Sequence, residues 1–326
     1  MQMTHELLSL EILNHRQCLD ADQAERLHAL RLGYWGEWEF QRILKKYLTG
    51  DFYLLTDCYF GEANPTQVDA ILVCPSGYYL FDVKNYRSPV RYEAGTFYHN
   101  DKRWRHNIFI QLERMVDRFN QDLDGHGRPQ GKQGYLVFIN ERHQVTVDES
   151  WSHGVLRRND IWEFLRDLAQ APARYKTDQL LGLVQGKLRP NPYEKCQATT
   201  DHWARMQGGI YCWRCRARLG NIYNRRRISC NNCGFIENSE SLVHRHLCEL
   251  SVLLYDQPLS LSLAREFLGK QCSDRSLYRI FNKNFNRVKR NSYHNPFKQD
   301  PDISHKIVWP IDLERDYYWI HQKFLT

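Results

Sequence analysis

Three charged residues stand where a hydrophobic β-hairpin has no structural need of them. In "QVDAILVCPSGYYLFDVKN", residues 67–85, two arms rich in Val, Ile, Tyr and Phe flank a Pro-Ser-Gly turn. Asp69 opens the first arm, and Asp82 and Lys84 close the second. If Pro75 and Ser76 form the loop, Cys74 pairs with Gly77, and the same register sets Asp69 directly opposite Asp82. Opposed residues share a face with Cβ atoms roughly 5 Å apart. Lys84 lies two residues beyond Asp82 and so on that face as well. A slip of one residue would dismantle the set. Paired carboxylates repel unless a cation lies between them, and Mg²⁺ accepts one or two carboxylates together with waters and phosphate oxygens. Lys84 could then orient or deprotonate an attacking water, or stabilise charge developing on a phosphate. The purely structural alternative is an Asp82–Lys84 ion pair at a sheet edge, where charge suppresses aggregation.

A second chemical signal is "YCWRCRARLGNIYNRRRISCNNCGF", in which Cys212-x2-Cys215 and Cys230-x2-Cys233 are separated by fourteen residues. Four soft thiolates at these spacings fit a closed tetrahedral Zn²⁺ site, which has no open position and is structural, not catalytic. A disulfide or redox role is the alternative. Cys18, Cys58, Cys74, Cys248 and Cys272 are scattered singly, as small buried hydrophobes are. Cys196, His202, His244, His246 and Cys248 match no metal-ligand spacing and read as structural or exposed. Arg214, Arg216, Arg218, Arg225, Arg226 and Arg227 surround the four ligands, the composition of a phosphate-gripping finger.

The elements that must position these groups follow from hydrophobic period. Residues 36–48 read as a helix, with Phe40, Ile43, Leu44, Tyr47 and Leu48 at helical spacing. Strands are expected at 52–60 and in the two arms of the hairpin, and 90–100 reads as another hairpin turning at Ala94-Gly95. A second helix is expected over 107–123, strands over 134–140 and 144–147, and a helix over 161–170 N-capped by Asn159 or Asp160. Residues 186–195 concentrate Pro, Gly and charge and mark a domain boundary. Beyond it, helices fit 240–255, 260–269 and 274–285, and the aromatic tail over 308–325 reads as packing back on the fold. Residues 260–285 resemble a helix-turn-helix, with Ser273 capping the second helix and Asp274, Arg275 and Ser276 near a groove. An ordinary helical hairpin is the alternative.

The length of 326 residues suits two domains of about 150 residues. No apolar run approaches the roughly 20 residues of a membrane span. The N-terminus carries charge within its apolar stretch and makes a poor signal peptide, so a cytoplasmic location is expected. The net charge of +7 is segregated: residues 1–195 hold 25 Lys and Arg against 26 Asp and Glu, and residues 196–326 hold 20 against 12. Residues 270–298 alone carry Lys270, Arg275, Arg279, Lys283, Arg287, Lys289, Arg290 and Lys298 against Asp274. Such segregation is the footprint of a module that binds a polyanion, the alternative being a solvated basic surface.

Taken in order, the G-x-x-G-E of "GYWGEWEF", Asp69, Asp82-x-Lys84 and a helical Gln111 in "RHNIFIQLERM" resemble the NERD (nuclease-related) domain of the PD-(D/E)XK nuclease superfamily, over residues 32–168. The resemblance implies an α/β fold with a restriction-endonuclease-like α-β-β-β-α-β core and a mixed sheet. It implies that Asp69 and Asp82 hold Mg²⁺ or Mn²⁺, that Lys84 is the catalytic lysine, that Glu37 reaches the site from the first helix, and that Gln111 supports the substrate or the lysine. Asp82 stands where the family more often has Glu, which shortens the ligand's reach. Glu39 competes with Glu37 for the site, and a solvated helix face is the expectation for Glu39. The expected layout is a helical extension over 1–30, a nuclease domain over 31–186, a linker over 187–195, a zinc ribbon over 196–238 and a basic helix-turn-helix-like domain over 239–326. The implied function is metal-dependent cleavage of nucleic acid, foremost DNA, in defence or repair, with structural Zn²⁺. The partners are nucleic acid and, where both strands are cut, a second copy of the chain. The alternative is an inactive nucleic-acid-binding or regulatory protein on the same fold; a zinc-held scaffold would leave the motif order unexplained.

Overall fold

The computed structural model describes residues 3–297 apart from 62–64, 142–143, 150 and 224. The aromatic tail and Lys298 lie outside the described residues. Two helices open the chain, α1 (His5–His15) and α2 (Ala21–Tyr47). The helix expected over 36–48 thus begins much earlier, since Ala, Leu, Glu and Arg dominate its first half and Gly33 and Gly36 each cost only about 1 kcal/mol. Then follow β1 (Tyr53–Phe60), β2 (Thr66–Cys74), β3 (Gly77–Lys84), β4 (Val90–Glu93), β5 (Thr96–His99), β6 (Lys102–Arg103), α3 (Ile108–Asp122), β7 (Gly134–Phe138), β8 (Val145–Val147), β9 (Gly154–Arg157), α4 (Ile161–Gln170), α5 (Thr177–Lys187) and β10 (Leu188–Arg189).

One compact unit comprises Leu32–Tyr193. Its main sheet runs β10-β1-β2-β3-β7-β9, antiparallel from β10 to β3 and parallel from β3 through β7 to β9, so the α/β class holds with a mixed sheet. Asn107 caps α3 by accepting the N–H groups of Phe109 and Ile110. The apolar face of α3, with Phe109, Leu112, Met115, Val116 and Phe119, packs into the same core as Val68, Ile71, Val73 and Leu80 of the sheet. The strand expected over 144–147 forms, but β8 pairs with β4 in a separate sheet ordered β6-β5-β4-β8. Asp160 occupies the N-cap of α4 without capping it; its carboxylate accepts the Arg157 N–H instead (3.0 Å). The stretch read as a linker enters the sheet, since β10 pairs with β1 and the Tyr193 hydroxyl donates to the Pro65 carbonyl (3.0 Å). Two-residue strands carry no periodicity, which is why β10 is silent in the sequence.

The other unit joins the residues up to Arg31 with those from Glu194 onward. Its further elements are α6 (Thr200–Arg205), β11 (Arg227–Ser229), β12 (Ile236–Asn238), α7 (Ser239–Leu254), β13 (Leu259–Ser260), α8 (Leu261–Phe267), α9 (Asp274–Asn284), β14 (Arg287–Lys289) and β15 (Ser292–Tyr293). The chain between α1 and α2 is built into this unit through a buried ion. Arg16, 1% exposed, donates to the Phe267 carbonyl (3.0 Å), lies 3.3 Å from the Phe267 ring centroid and pairs with Glu249 (3.5 Å).

His246, fully buried on α7, ties that helix to the first cysteine pair. Its Nδ1–H donates to the Leu242 carbonyl (2.8 Å), which leaves Nε2 to accept the Tyr211 N–H (2.9 Å). Only a neutral ring can do both. Burial pushes its pKa down to about 3, with Arg245 and Arg16 reinforcing the shift and Glu249 opposing it. The unfolded chain therefore takes up a proton below about pH 6.5 that the native ring refuses, and stability falls by up to about 1.4 kcal/mol per pH unit from this group. Thermal melts followed by Trp fluorescence should show Tm falling between pH 7 and pH 5. His246→Met should start lower and give a flatter profile.

Candidate functional site

The hairpin register decides whether the charged residues meet. Pro75 and Ser76 form the turn, and the pairs run from Cys74↔Gly77 to Ala70↔Phe81, the frame that brings Asp69 and Asp82 to the next position. Close packing locks the turn. Gly77 has φ +138°, and a Cβ there would stand 2.7 Å from the Gly127 carbonyl oxygen and 2.8 Å from Pro129 N. The Pro75 carbonyl also accepts the N–H groups of Arg174 (2.8 Å) and Tyr175 (3.0 Å). With the turn clamped from two sides, a slipped hairpin would lose all of these contacts at once.

At the far end of the hairpin, Lys84 Nζ lies 2.6 Å from Asp82 Oδ1, and the Val83 N–H donates to Asp69 Oδ2 (2.7 Å). The structural alternative of an edge ion pair loses its premise, because β3 lies between β2 and β7. Asp82 is 6% exposed, and among the described residues its buried Oδ2 has no hydrogen-bond partner. Burial and the charge of Asp82 push the Asp69 carboxyl up to about 7, against the opposing pull of Lys84 and the Val83 N–H. Burial works against the Lys84 ammonium, but Asp82 and Asp69 outweigh it and raise its pKa above the ordinary lysine value.

α2 supplies the next carboxylate, and the structure separates its two candidates. Glu37 faces the hairpin: burial, then the fields of Asp69, Asp57 and Asp82, hold its carboxyl well above the usual range, with Lys84 opposing. Glu39 points elsewhere and is not solvated. It is 3% exposed, takes both Arg42 nitrogens (2.6 and 2.7 Å) and pairs with Arg158. Gly36 makes the close approach of α2 possible, since a Cβ there would lie 3.0 Å from Asn85 Cβ and 3.2 Å from Ile139 Cγ2. Asn85, in turn, donates to the Leu32 carbonyl (3.0 Å). Gly36→Val should therefore push α2 off the strand ends, lowering Tm and any Glu37-dependent activity at least tenfold. Gly33, with nothing within 4 Å of its would-be Cβ, should accept Ala with a gain of about 0.5–1 kcal/mol.

Asp57 belongs to the cluster and was missed from the sequence. It lies in β1 between Thr56, paired with Ala70, and Cys58, paired with Val68, which puts it across from Asp69. It holds φ +51°, accepts from Gln67 Nε2 (2.9 Å) and is bonded by the Tyr59 hydroxyl; burial raises its pKa. An acid in the middle of an apolar strand was the signal. Gln111 is not brought to the carboxylates: it is exposed on the first turn of α3, and among the described residues its hydrogen bond runs to His106 (3.0 Å).

The four cysteines do converge. Their sulfurs all lie within 4.8 Å of one another, with Cys212 and Cys233 at 3.7 Å and Cys215 and Cys230 at 3.5 Å. A tetrahedron of Zn–S bonds near 2.3 Å has edges of about 3.8 Å, so the set fits zinc. Both pairs sit in the same turn: Arg216 N–H donates to the Cys212 carbonyl and Gly234 N–H to the Cys230 carbonyl, and these two residues share left-handed φ of 63° and 70°. Of the six ribbon arginines, Arg216 is drawn inward to His15 and Glu11, and Arg218 donates to the Gly208 carbonyl (2.8 Å). Arg214, Arg225, Arg226 and Arg227 are exposed, as are Arg275, Arg279, Lys283, Lys289 and Arg290 further on. The second cysteine–histidine set is occupied internally, His202 with Thr199 and Gln23 and Cys196 with the Leu253 carbonyl.

Among the described residues no helix is long and apolar enough to cross a membrane. The family model of the nuclease-related domain, NERD, matches residues 32–139, a stretch that holds Glu37, Asp57, Asp69, Asp82, Lys84 and Gln111. No curated protein and no solved structure matches the chain.

Proposed function

We propose, from the match of residues 32–139 to the nuclease-related domain, that this protein is a metal-dependent nuclease of the PD-(D/E)XK type that hydrolyses phosphodiester bonds in nucleic acid, foremost DNA. The observation that carries the reading is the orphaned Oδ2 of Asp82, buried beside Asp69 and on the carboxylate that already pairs with Lys84. A buried acceptor without a partner costs about 1–3 kcal/mol, more when charged, and an ion pair alone would not need it. Asp69 and Asp82 together offer hard oxygen donors suited to Mg²⁺ or Mn²⁺. Such a cation, when bound, would supply Lewis-acid charge at the scissile phosphate.

The chain's own residues divide the remaining work. Lys84, paired with Asp82, donates to phosphate oxygens and stabilises the charge that builds on them. Glu37 and Asp57 would offer further carboxyl oxygens beside the pair, which a bound divalent cation would favour in their ionised form. Gln111, exposed on α3, contacts the substrate and not the lysine. The four cysteines hold structural Zn²⁺, and the exposed arginines of the ribbon with the basic helix-turn-helix-like segment bind the nucleic-acid backbone.

The test is incubation of the protein with supercoiled, linear and single-stranded DNA in Mg²⁺ or Mn²⁺, beside Asp82→Asn and Lys84→Met. Cleavage by the wild type, lost in both variants, is the expected result. Binding without cleavage of any DNA form would make it an inactive binding protein on a nuclease-like fold. Cleavage that survives both substitutions would sink the site.

A further inference from the structure

The segment from α7 to β15 has a connectivity that goes beyond two helices and a turn. The order is α7, β13, α8, α9 and then the β14–β15 hairpin, and β15 pairs with both β14 and β13. Three helices closed by a three-stranded sheet, its first strand beside its last, make a winged helix with the hairpin as the wing. Ser273 caps α9 by accepting the Ser276 N–H, and Leu277, Ile280 and Phe281 bury one side of the helix. The other side presents Arg275, Tyr278, Arg279, Asn282 and Lys283, all exposed and spaced to form one stripe. The wing carries exposed Arg287, Lys289 and Arg290 around Val288, which is 62% exposed. Arg287 donates to the Tyr278 hydroxyl (3.3 Å), so wing and stripe form one surface.

A third contribution comes from the zinc ribbon. A cavity of about 230 Å³ opens between the ribbon's Arg225 and Arg226, the start of α7 at Ser239, and the side of α9 bearing Ser273, Ser276 and Arg279. Glu240 also lines it, but its carboxylate is paired with Lys283 and lies 3.9 Å from Arg279, so the cleft stays positive.

We propose that α9 enters the major groove of B-form duplex DNA, with the β14–β15 hairpin against the flanking backbone and the Arg225–Arg226 cleft holding the phosphates that border the groove. This rests on the nucleic-acid-binding reading above and names the form bound. An α-helix about 10–12 Å across fits a major groove about 12 Å wide. The stripe offers the side chains that read base edges there, Arg for guanine and Asn for adenine. The Tyr293 hydroxyl donates to Asn282 Oδ1 (2.9 Å) and so fixes that amide on the stripe. The deep, narrow major groove of A-form RNA excludes a helix, and a single strand has no groove at all.

The experiment uses full-length Lys84→Met protein, which leaves substrate intact. A binding site is selected from a random duplex pool. Anisotropy then compares that duplex with its single strand, with double-stranded RNA of the same sequence, and with a duplex carrying 7-deazaguanine, which lacks the N7 acceptor of the major groove. Duplex DNA should bind at least tenfold tighter than RNA or the single strand, and 7-deazaguanine should weaken it about tenfold. Arg275→Ala should alter the selected sequence at unchanged salt dependence. Arg226→Ala should weaken all duplexes alike and reduce the salt slope by about 1. Equal binding to RNA, or indifference to 7-deazaguanine, would reduce the surface to an unspecific basic face and overturn the proposal. Duplex selectivity in a protein whose wild type cuts nothing would remove the nuclease and leave this reading standing. Cleavage without duplex preference would do the reverse.

Discussion

On the proposed function, Lys84→Met should lower strand cleavage by about 10²–10³-fold or more, while Mn²⁺ should bind the variant tighter than it binds the wild type. The two effects have opposite signs because the ammonium has opposite relations to substrate and metal. Toward a phosphate in the proposed reaction it would be a preorganised donor aimed at developing negative charge, and the loss of one such group costs about 10²–10³ in rate. Toward a divalent cation it is a like charge. Two unit charges 4 Å apart interact by about 4 kcal/mol at an effective dielectric of 20, so its removal should raise metal affinity at least tenfold. Asp82→Asn should reverse the metal arm: cleavage should be lost and Mn²⁺ affinity fall by more than tenfold, because a charged donor and the partner of Lys84 go together. Calorimetric titration with Mn²⁺ across pH 7 to 9 reads both variants, since the Asp69 carboxyl, pushed up to about 7 in the wild-type site, must be ionised to take a cation and loses the opposing pull of Lys84 in Lys84→Met. A Lys84→Met variant that lost both cleavage and metal binding would mean that the lysine holds the fold of the site and has no part in the chemistry.

Cys230→Ser has the other large effect, and it falls on structure. The ribbon's own buried apolar residues are few, chiefly Ile210, Leu219, Ile222 and Ile228, too small a core to hold a domain. Structural zinc in such modules contributes about 10–16 kcal/mol at neutral pH, so the loss of one thiolate of four removes most of what orders the segment. Zinc should fall from about one per chain to near zero, Tm should drop by more than about 10 °C, and duplex affinity should fall with it, because Arg225 and Arg226 are held by the same segment. Cys196→Ser, exposed and remote in sequence from the four ligands, should leave zinc content unchanged. Retention of zinc by Cys230→Ser would mean that the four sulfurs converge for another reason.

The parts of this protein legible in its sequence are those governed by neighbours along the chain. A strand has period two, so a Pro-Ser loop ahead of Gly77 was enough to bring Asp69, Asp82 and Lys84 to one face. Thiolate spacing identified the four-cysteine cluster for the same reason, each pair being a local turn. The choice between Glu37 and Glu39 was not local. Two residues on a helix point in nearly opposite directions, and which one meets the strands depends on where α2 is pressed close, at Gly36 against Asn85 and Ile139. Asp57 entered the site only through the pairing of β1 with β2. The N-terminal helices looked like an extension, yet Arg16 is buried against Phe267 and Glu249, more than 230 residues away. Periodicity and spacing report forces that act within a few residues. Burial of an ion, the approach of a helix to a sheet and the partners of a strand are set by surfaces that meet only when the chain has folded, and only the tertiary structure decided them.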